Sequence, residues 1–307
     1  MLTPSASCRS RQRSAIYLAH SLGDTPMRLI DLHAHTTASD GALPPEGLVR
    51  LAKERGLSVL AVTDHDTLAS IPRAVAEAAQ AGGLQIVPGV EVTAYVDDLE
   101  VHILGHFIDP DDARLMGLFA SSRDDRIERI RRMIDKLWSL GLPLDADEIL
   151  NQAPGASVGR PHLAQAMVRR GYVASVQEAF DRYLTPGKPA HVERSRLPAA
   201  DVMLAIKRAG GVPSLAHPGA YGCDDVIGRL AEQSLMGLEV NHPDHDSEAT
   251  FRYERMRLEY GLLAVSGSDF HGTEGLRLSS LGRPSLPEVD FERLSDAAVA
   301  CRANAGR

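Results

Sequence analysis

LIDLHAH (29–35), SVLAVTDH (58–65), LQIVPGVE (84–91), EVHILGH (100–106), VPSLAH (212–217), GLEVNH (237–242) and LLAVSGSDFH (262–271) are short apolar runs, and each ends in a histidine or a carboxylate. Runs of this length, rich in Val, Ile and Leu, have the composition of parallel strands buried on both faces. Helical patterns lie between most of them, so the chain reads as an α/β protein built of repeated strand–helix units. Pro44 and Pro45 open one helix and Gly56 stops it; an Ala-rich helix over 70–81 is closed by Gly82 and Gly83. Asp97 and Asp98 supply a turn between the third and fourth runs. In a barrel of such units, side chains at the carboxyl ends of the strands converge on one mouth.

What converges here is ligand chemistry. His33 and His35 alternate along a strand and so face the same side. Asp40 follows in the TTASDG loop, and TDHDT (63–67) offers His65 between Asp64 and Asp66. Glu91 sits inside an apolar strand, where a carboxylate needs a cation or hydrogen-bond donors. His102 lies in another apolar strand, His217 ends one before Pro218, and Asp269 and His271 repeat the alternating spacing in GSDFHG. These six imidazoles and three carboxylates exceed what one ion can use, so two or three divalent ions are expected. Mixed nitrogen and oxygen donors without thiolate suit Mn²⁺ first, then Fe²⁺ or Zn²⁺. Asp64, Asp66 and His242 are candidates for proton transfer or for orienting the ligands. His106 and His245 are placed behind the ligands.

The rhythm breaks between residues 108 and 190, where the pattern is helical: Ile127, Ile130, Ile134 and Leu137 recur at helix spacing between Ser122 and Gly141. Further helices are expected over 161–170 and 176–183. The expected organisation is an extension at 1–26, a barrel at 27–107 and 191–295, and a helical insertion at 108–190. The insertion is placed at the barrel mouth because the strand before it points there. In its GRPHLA segment (159–164), Arg160 and His162 at a helix start are the candidates for a second phosphate site. Arg123, Arg126, Arg129, Arg131 and Arg132 are interleaved with Asp124, Asp125, Glu128 and Asp135, which reads as a solvated helix face. Lys188, His191 and Arg194 read as solvated surface.

The bulk properties narrow the class. Of 307 residues, 44% are hydrophobic and 24% charged, enough for a large core. No apolar run is long enough to span a membrane. A net charge of −8 argues against an extended nucleic-acid surface. Cys8, Cys223 and Cys301 show no ligand spacing and suit a reducing cytoplasm. Arg9, Arg11 and Arg13 have the look of a signal-peptide head, but the apolar patch around Ile16–Leu22 is short and holds His20, so residues 1–26 are expected to be a disordered extension, with Met27 as a natural start.

The motifs DLHAHTTASDG, TDHDT, PGVEVT, HILGH, LAHPG, EVNHP and GSDFHG, in this order, resemble the polymerase-and-histidinol-phosphatase (PHP) family. The resemblance implies a distorted (β/α)₇ TIM-like barrel and phosphoester hydrolysis by a metal-activated hydroxide. It maps the family's ligands onto His33, His35, Asp40, His65, Glu91, His102, His217, Asp269 and His271, the same set reached from the strand ends. The insertion with GRPHLA is similar to the subgroup that acts on nucleoside 3′,5′-bisphosphates. That implies a small nucleotide substrate losing its 3′-phosphate. Relatives in that subgroup also trim short 5′-phosphorylated RNA, and a histidinol-phosphatase-like general phosphomonoesterase is a further alternative. Amidohydrolase chemistry on a related metal barrel relies on a carboxylated lysine on a strand, and no predicted strand ends in Lys. A non-catalytic metal-binding module would be favoured by a missing ligand, and none of the nine is missing.

Overall fold

A computed structural model describes residues 28–150, 158–193, 196–272 and 279–305. The extension at 1–26 and Arg194 lie outside the described residues. Seven strands form one sheet in sequential order: β1 (Leu29–Asp31), β2 (Leu57–Val62), β3 (Gln85–Val96), β4 (Leu99–His106), β5 (Val212–Leu215), β6 (Gly237–Asn241) and β7 (Leu263–Ser266). Outside it pack α1 (Pro45–Glu54), α2 (Ile71–Ala81), α7 (Ala199–Arg208), α8 (Asp225–Glu232), α9 (Ser247–Glu259) and α10 (Glu288–Ala305). Helices outside and side chains within explain why the strands are apolar on both faces; Ile30, Val59, Val87, Ile103, Leu215, Leu238 and Val265 are all fully buried. The last helix runs to Ala305, past residue 295 where the barrel was expected to end.

The first and last strands meet. Leu32 N–H donates to Ser266 O at 3.1 Å and His35 N–H to Phe270 O at 2.9 Å. The buried Asp31 carboxylate ties the seam, accepting from the backbone N–H groups of His33, Ser268 and Gly282. Gly267 is required at this approach: a Cβ there would lie 2.2 Å from that of His33.

The expectation of parallel strands throughout is corrected at β4, which is antiparallel to both β3 and β5. Its reversal puts His102, in its first half, at the mouth and His106, at its end, at the foot. The insertion therefore does not reach the mouth because β4 points there. It is carried back by α3 (Ala113–Ser139), a 27-residue helix of about 40 Å that begins nine residues before the predicted Ser122. Asp112 caps it, its carboxylate accepting from the Arg114 and Leu115 N–H groups. Beyond it come α4 (Ala146–Leu150), which the sequence pattern did not show, α5 (Arg160–Arg169), and α6 (Val176–Ala179) running into a π turn at Phe180–Leu184. These close a second apolar core of Ile130, Met133, Ile134, Leu137, Leu163, Met167 and Leu184.

His106 is a foot-of-barrel residue whose Nε2–H donates to Leu32 O at 2.8 Å, while its buried Nδ1 makes no hydrogen bond. Burial holds its pKa down at about 4, so the ring is neutral in the fold. An unfolded chain protonates it near 6.5, so this contribution to stability is complete above that pH and is lost as pH falls from 6.5 through 4. The loss amounts to about 3 kcal/mol. Denaturant titrations of His106→Asn against wild type at pH 7 and pH 4 are expected to show the variant gaining about that much relative stability in acid; parallel curves would show that His106 does not titrate in this window.

Candidate metal centre

Each ligand is placed by a local device. Asp40 is carried by a loop folded over the buried Asp64 carboxylate, which accepts from Thr36 N–H at 2.7 Å, Thr36 Oγ1–H at 2.8 Å and Ser39 Oγ–H at 2.7 Å. Asp64 is thereby a staple for the loop that carries Asp40, the orienting one of the two roles expected for it. Asp66 faces away from the ligands as well. Its carboxylate accepts from Arg126 Nε–H at 2.6 Å and Ser122 Oγ–H at 3.2 Å, tying the loop after β2 to α3. His102 reaches the site from the antiparallel β3–β4 hairpin, pairing opposite Thr93 and diagonal to Glu91.

Glu91 is the hub. Its Oε1 lies 2.7 Å from His102 Nδ1 and 3.0 Å from His217 Nε2; its Oε2 lies 3.3 Å from His33 Nε2, 3.2 Å from His35 Nε2 and 3.3 Å from His65 Nδ1. Asp269 Oδ1 is 3.3 Å from both His33 Nε2 and His35 Nε2 and 3.5 Å from His271 Nδ1. Asp40 faces His271 at 3.3 Å and His35 and His65 at 3.7 Å. Among the described residues these atoms fall into three overlapping donor sets: His35, Asp40, His65 and His271; His33, His35, Glu91 and Asp269; and His65, Glu91 and His102. His217 stands outside them, with its Nε2 on Glu91.

The electrostatics match this density of charge. Burial pushes the Glu91, Asp40 and Asp269 carboxyls up, but the histidines around them outweigh it and hold all three well below the usual carboxylate range. Burial pushes His35 down, yet Asp269 and Glu91 raise it to about 10. Burial dominates at His65, which falls to about 3. Protons and cations thus compete for the same carboxylates. His35 Nε2, Asp40 Oδ1 and His65 Nδ1 are buried and make no hydrogen bond. A divalent cation among these nitrogen and oxygen donors satisfies all three, so the residues present fit the expected metal.

His242 lies beside the cluster. Its Nδ1 accepts from Asp244 N–H at 3.1 Å, so Nε2 keeps the proton and aims it at Asp269 Oδ2, 3.6 Å away. That separation is too long for a hydrogen bond, and Nε2 is buried without one. His245 is bonded to Val240 O and Gly219 N–H, outside the donor sets.

A cleft opens from Asp40, His65 and His102 and is lined further by Thr93, Glu100, Arg126, Arg129, Arg160 and Phe180. Arg160 donates to Glu100 Oε1 at 3.2 Å and lies over the Phe180 ring, 5.9 Å from its centroid. Burial raises the Glu100 pKa, but Arg160 and the Tyr95 hydroxyl bring it to about 2. His162 is buried at the start of α5, its Nδ1 accepting from Gly159 N–H, and it sits beside the Ser39–Asp40 loop of the cluster. Arg126 and Arg129 line the cleft, which corrects the reading of that stripe as wholly solvated. Arg126 also reaches Thr93 Oγ1, and Arg129 donates to Val192 O. Their spacing of three places them on one helix face, a signal the interleaved acids obscured. His191 packs against this group through Arg129. Glu239 was missed too, although an acid inside the apolar GLEVNH run carries the same signal as Glu91.

Comparisons with known proteins agree with this geometry. The PHP domain model matches residues 31–186. The chain is 35% identical over 254 residues to the 3′,5′-nucleoside bisphosphate phosphatase of Chromobacterium violaceum, covering 80% of this chain and 88% of the relative. It is 33% identical over 258 residues to the 5′-3′ exoribonuclease Rnm of Salmonella typhimurium, covering 82% and 88%. A solved structure from Chromobacterium violaceum, described as an amidohydrolase with bound sulfate and no metal, superposes with a TM-score of 0.80 at 33% identity over 88% of this chain and 96% of that one. The chain's four lysines, Lys53, Lys136, Lys188 and Lys207, all lie outside the strands. With its barrel, its histidine–carboxylate cluster and two thirds or more of its length shared with such relatives, this chain belongs to the PHP family and is a metal-dependent phosphoesterase.

Proposed function

We propose that the protein removes the 3′-phosphate of nucleoside 3′,5′-bisphosphates, with Mn²⁺ as its metal. The observation that carries this is a second cationic wall: Arg126, Arg129 and Arg160 face the metal cluster across one cleft. A monoester needs only the cluster; a substrate with another phosphate needs such a wall. The bisphosphate phosphatase named above is a relative over most of both chains, which supports the reading.

Divalent ions in the cluster supply positive charge to the phosphoryl oxygens and lower the pKa of a water at neutral pH. The chain's own residues do the rest. Arg160 presents a planar guanidinium suited to bidentate phosphate contact, held ready by Glu100 and the Phe180 ring. Phe180 lines the same cleft and supports the Arg160 side chain from below, with the cap's apolar core behind it. Asp64 and Ser39 hold the loop that brings Asp40 to the cluster. The free thiols of Cys223 and Cys301 suit a cytoplasmic setting.

The test is phosphate release by the Mn²⁺-loaded protein from adenosine 3′,5′-bisphosphate, AMP, histidinol phosphate and a 5′-phosphorylated RNA trimer. The bisphosphate is expected to be turned over at least about 100-fold more efficiently than AMP, and Arg160→Ala to remove most of that preference, the size expected for losing one charge-assisted phosphate contact of about 2–3 kcal/mol. Equal efficiency on all monoesters would refute the bisphosphate reading, and mononucleotide release from the trimer at a higher efficiency would make RNA-end trimming the main activity.

A further inference from the structure

Glu239 stands on β6 at the floor of the metal cluster and is fully buried. No donor set includes it, yet both of its oxygens are committed to histidines that contact Glu91. Oε1 lies 3.0 Å from His33 Nδ1, and Oε2 accepts from His217 N–H at 2.7 Å. His33 follows β1 and His217 follows β5, so one carboxylate ties together histidines from two separate strands.

We infer that Glu239 is the positioning residue of the metal centre, selecting the tautomer of His33 and holding the backbone of His217. The inference rests on the metal reading of the cluster and not on which ester is hydrolysed. An ionised carboxylate can only accept hydrogen bonds. Its contact with Nδ1 therefore places the His33 proton on that nitrogen and leaves the Nε2 lone pair free. Nε2 is the atom that faces Glu91 and Asp269, both at 3.3 Å. The opposite tautomer would turn a proton toward the ions and a lone pair toward the carboxylate.

The second contact acts on geometry. His217 has φ 25° and ψ 60°, a left-handed conformation that a non-glycine residue adopts only when its surroundings hold it. The bond from its N–H to Glu239 is one such restraint, and the result is an imidazole whose Nε2 meets Glu91 at 3.0 Å. Glutamine has the same shape as glutamate but cannot accept at both ends. Its carbonyl can serve one donor, and its NH₂ group then confronts the other.

The test uses Glu239→Gln and Glu239→Asp in the full chain. Mn²⁺ affinity is read from the free-Mn²⁺ electron paramagnetic resonance signal, and bound metal is counted by mass spectrometry. Glu239→Gln is expected to bind at least one Mn²⁺ 10- to 100-fold more weakly, the range typical of losing a partner behind a metal-bound histidine. Its circular dichroism and the melting of the metal-depleted protein should stay close to wild type, which separates positioning from a merely structural role. Glu239→Asp keeps the charge but is one methylene shorter, and is expected to fall between the two. A Glu239→Gln protein that holds its metals within twofold of wild-type affinity overturns the inference. Should that variant not fold, the wild type still decides. In Zn²⁺-loaded, ¹⁵N-histidine-labelled protein, His33 is expected to show a protonated Nδ1; a protonated Nε2 there overturns the inference as well.

Discussion

Replacing Glu91 by Gln is expected to lower phosphate release by at least about 10³-fold and to remove at least one metal ion per chain. The size of the effect follows from how many groups share one carboxylate. His102 and His217 meet one oxygen, and His33, His35 and His65 meet the other, all within 3.3 Å. Glu91 also belongs to two of the three donor sets and joins the second to the third, as His35 and His65 join each of these to the first. An amide supplies one neutral oxygen where two anionic ones stood, and its NH₂ group points at imidazole nitrogens that must stay free for metal. Metal content by mass spectrometry and kcat on the best substrate, measured together, check this. Activity within tenfold of wild type with full metal content would remove Glu91 from the centre.

The second large effect is on the joint between cap and barrel. Asp66→Ala is expected to cost about 1–3 kcal/mol of stability, because it leaves the partly buried Arg126 guanidinium without its carboxylate. Arg126 Nη2 lies 2.5 Å from Asp66, whose carboxylate is buried while the guanidinium is partly buried. Since Arg126 also lines the cleft, the variant's KM for the bisphosphate should rise more than its kcat falls. A pH profile distinguishes this from the proton-transfer role that its place in TDHDT first suggests: with Asp66 as a structural anchor, both limbs of the profile persist in the variant. Loss of one limb, with stability unchanged, would restore Asp66 to the chemistry.

Much of the centre was legible in the sequence for a definite reason. Side chains at strand ends alternate by two, so His33 with His35 and Asp269 with His271 declare a shared face before any coordinates exist. Glu91 was legible because an acid inside an apolar strand needs a partner. Glu239 satisfies the same criterion, but it lies three residues before His242, the residue that ends its run. Asp64 and Asp66 show what residue type alone leaves open between proton transfer and orienting the ligands. Residue type was right for proton chemistry, but direction decides the role, and both point away from the ligands into hydrogen bonds with Thr36, Ser39 and Arg126. The direction of β4 was equally hidden. An apolar run reads the same whichever way the chain travels through it, so the hairpin's reversal and the true route of the insertion had to come from the pairing itself. Arg126 and Arg129 were hidden by their acidic neighbours, which turn to solvent while the arginines turn inward.

The reversal of β4 also makes metal stoichiometry a matter of turn length. His102 is paired across from Thr93 by a hairpin that closes between Val96 and Leu99, with Asp97 and Asp98 as its tip. Along β4 the neighbours of His102 are Val101 and Ile103, both fully buried on the opposite face. Adding or deleting a single tip residue would slide the strand by one step, present a branched aliphatic to the ions, and bury an imidazole in the outer core. Among related chains with a longer or shorter tip, the occupant of this corner should therefore change with the parity of the loop, and the number of ions held should follow it.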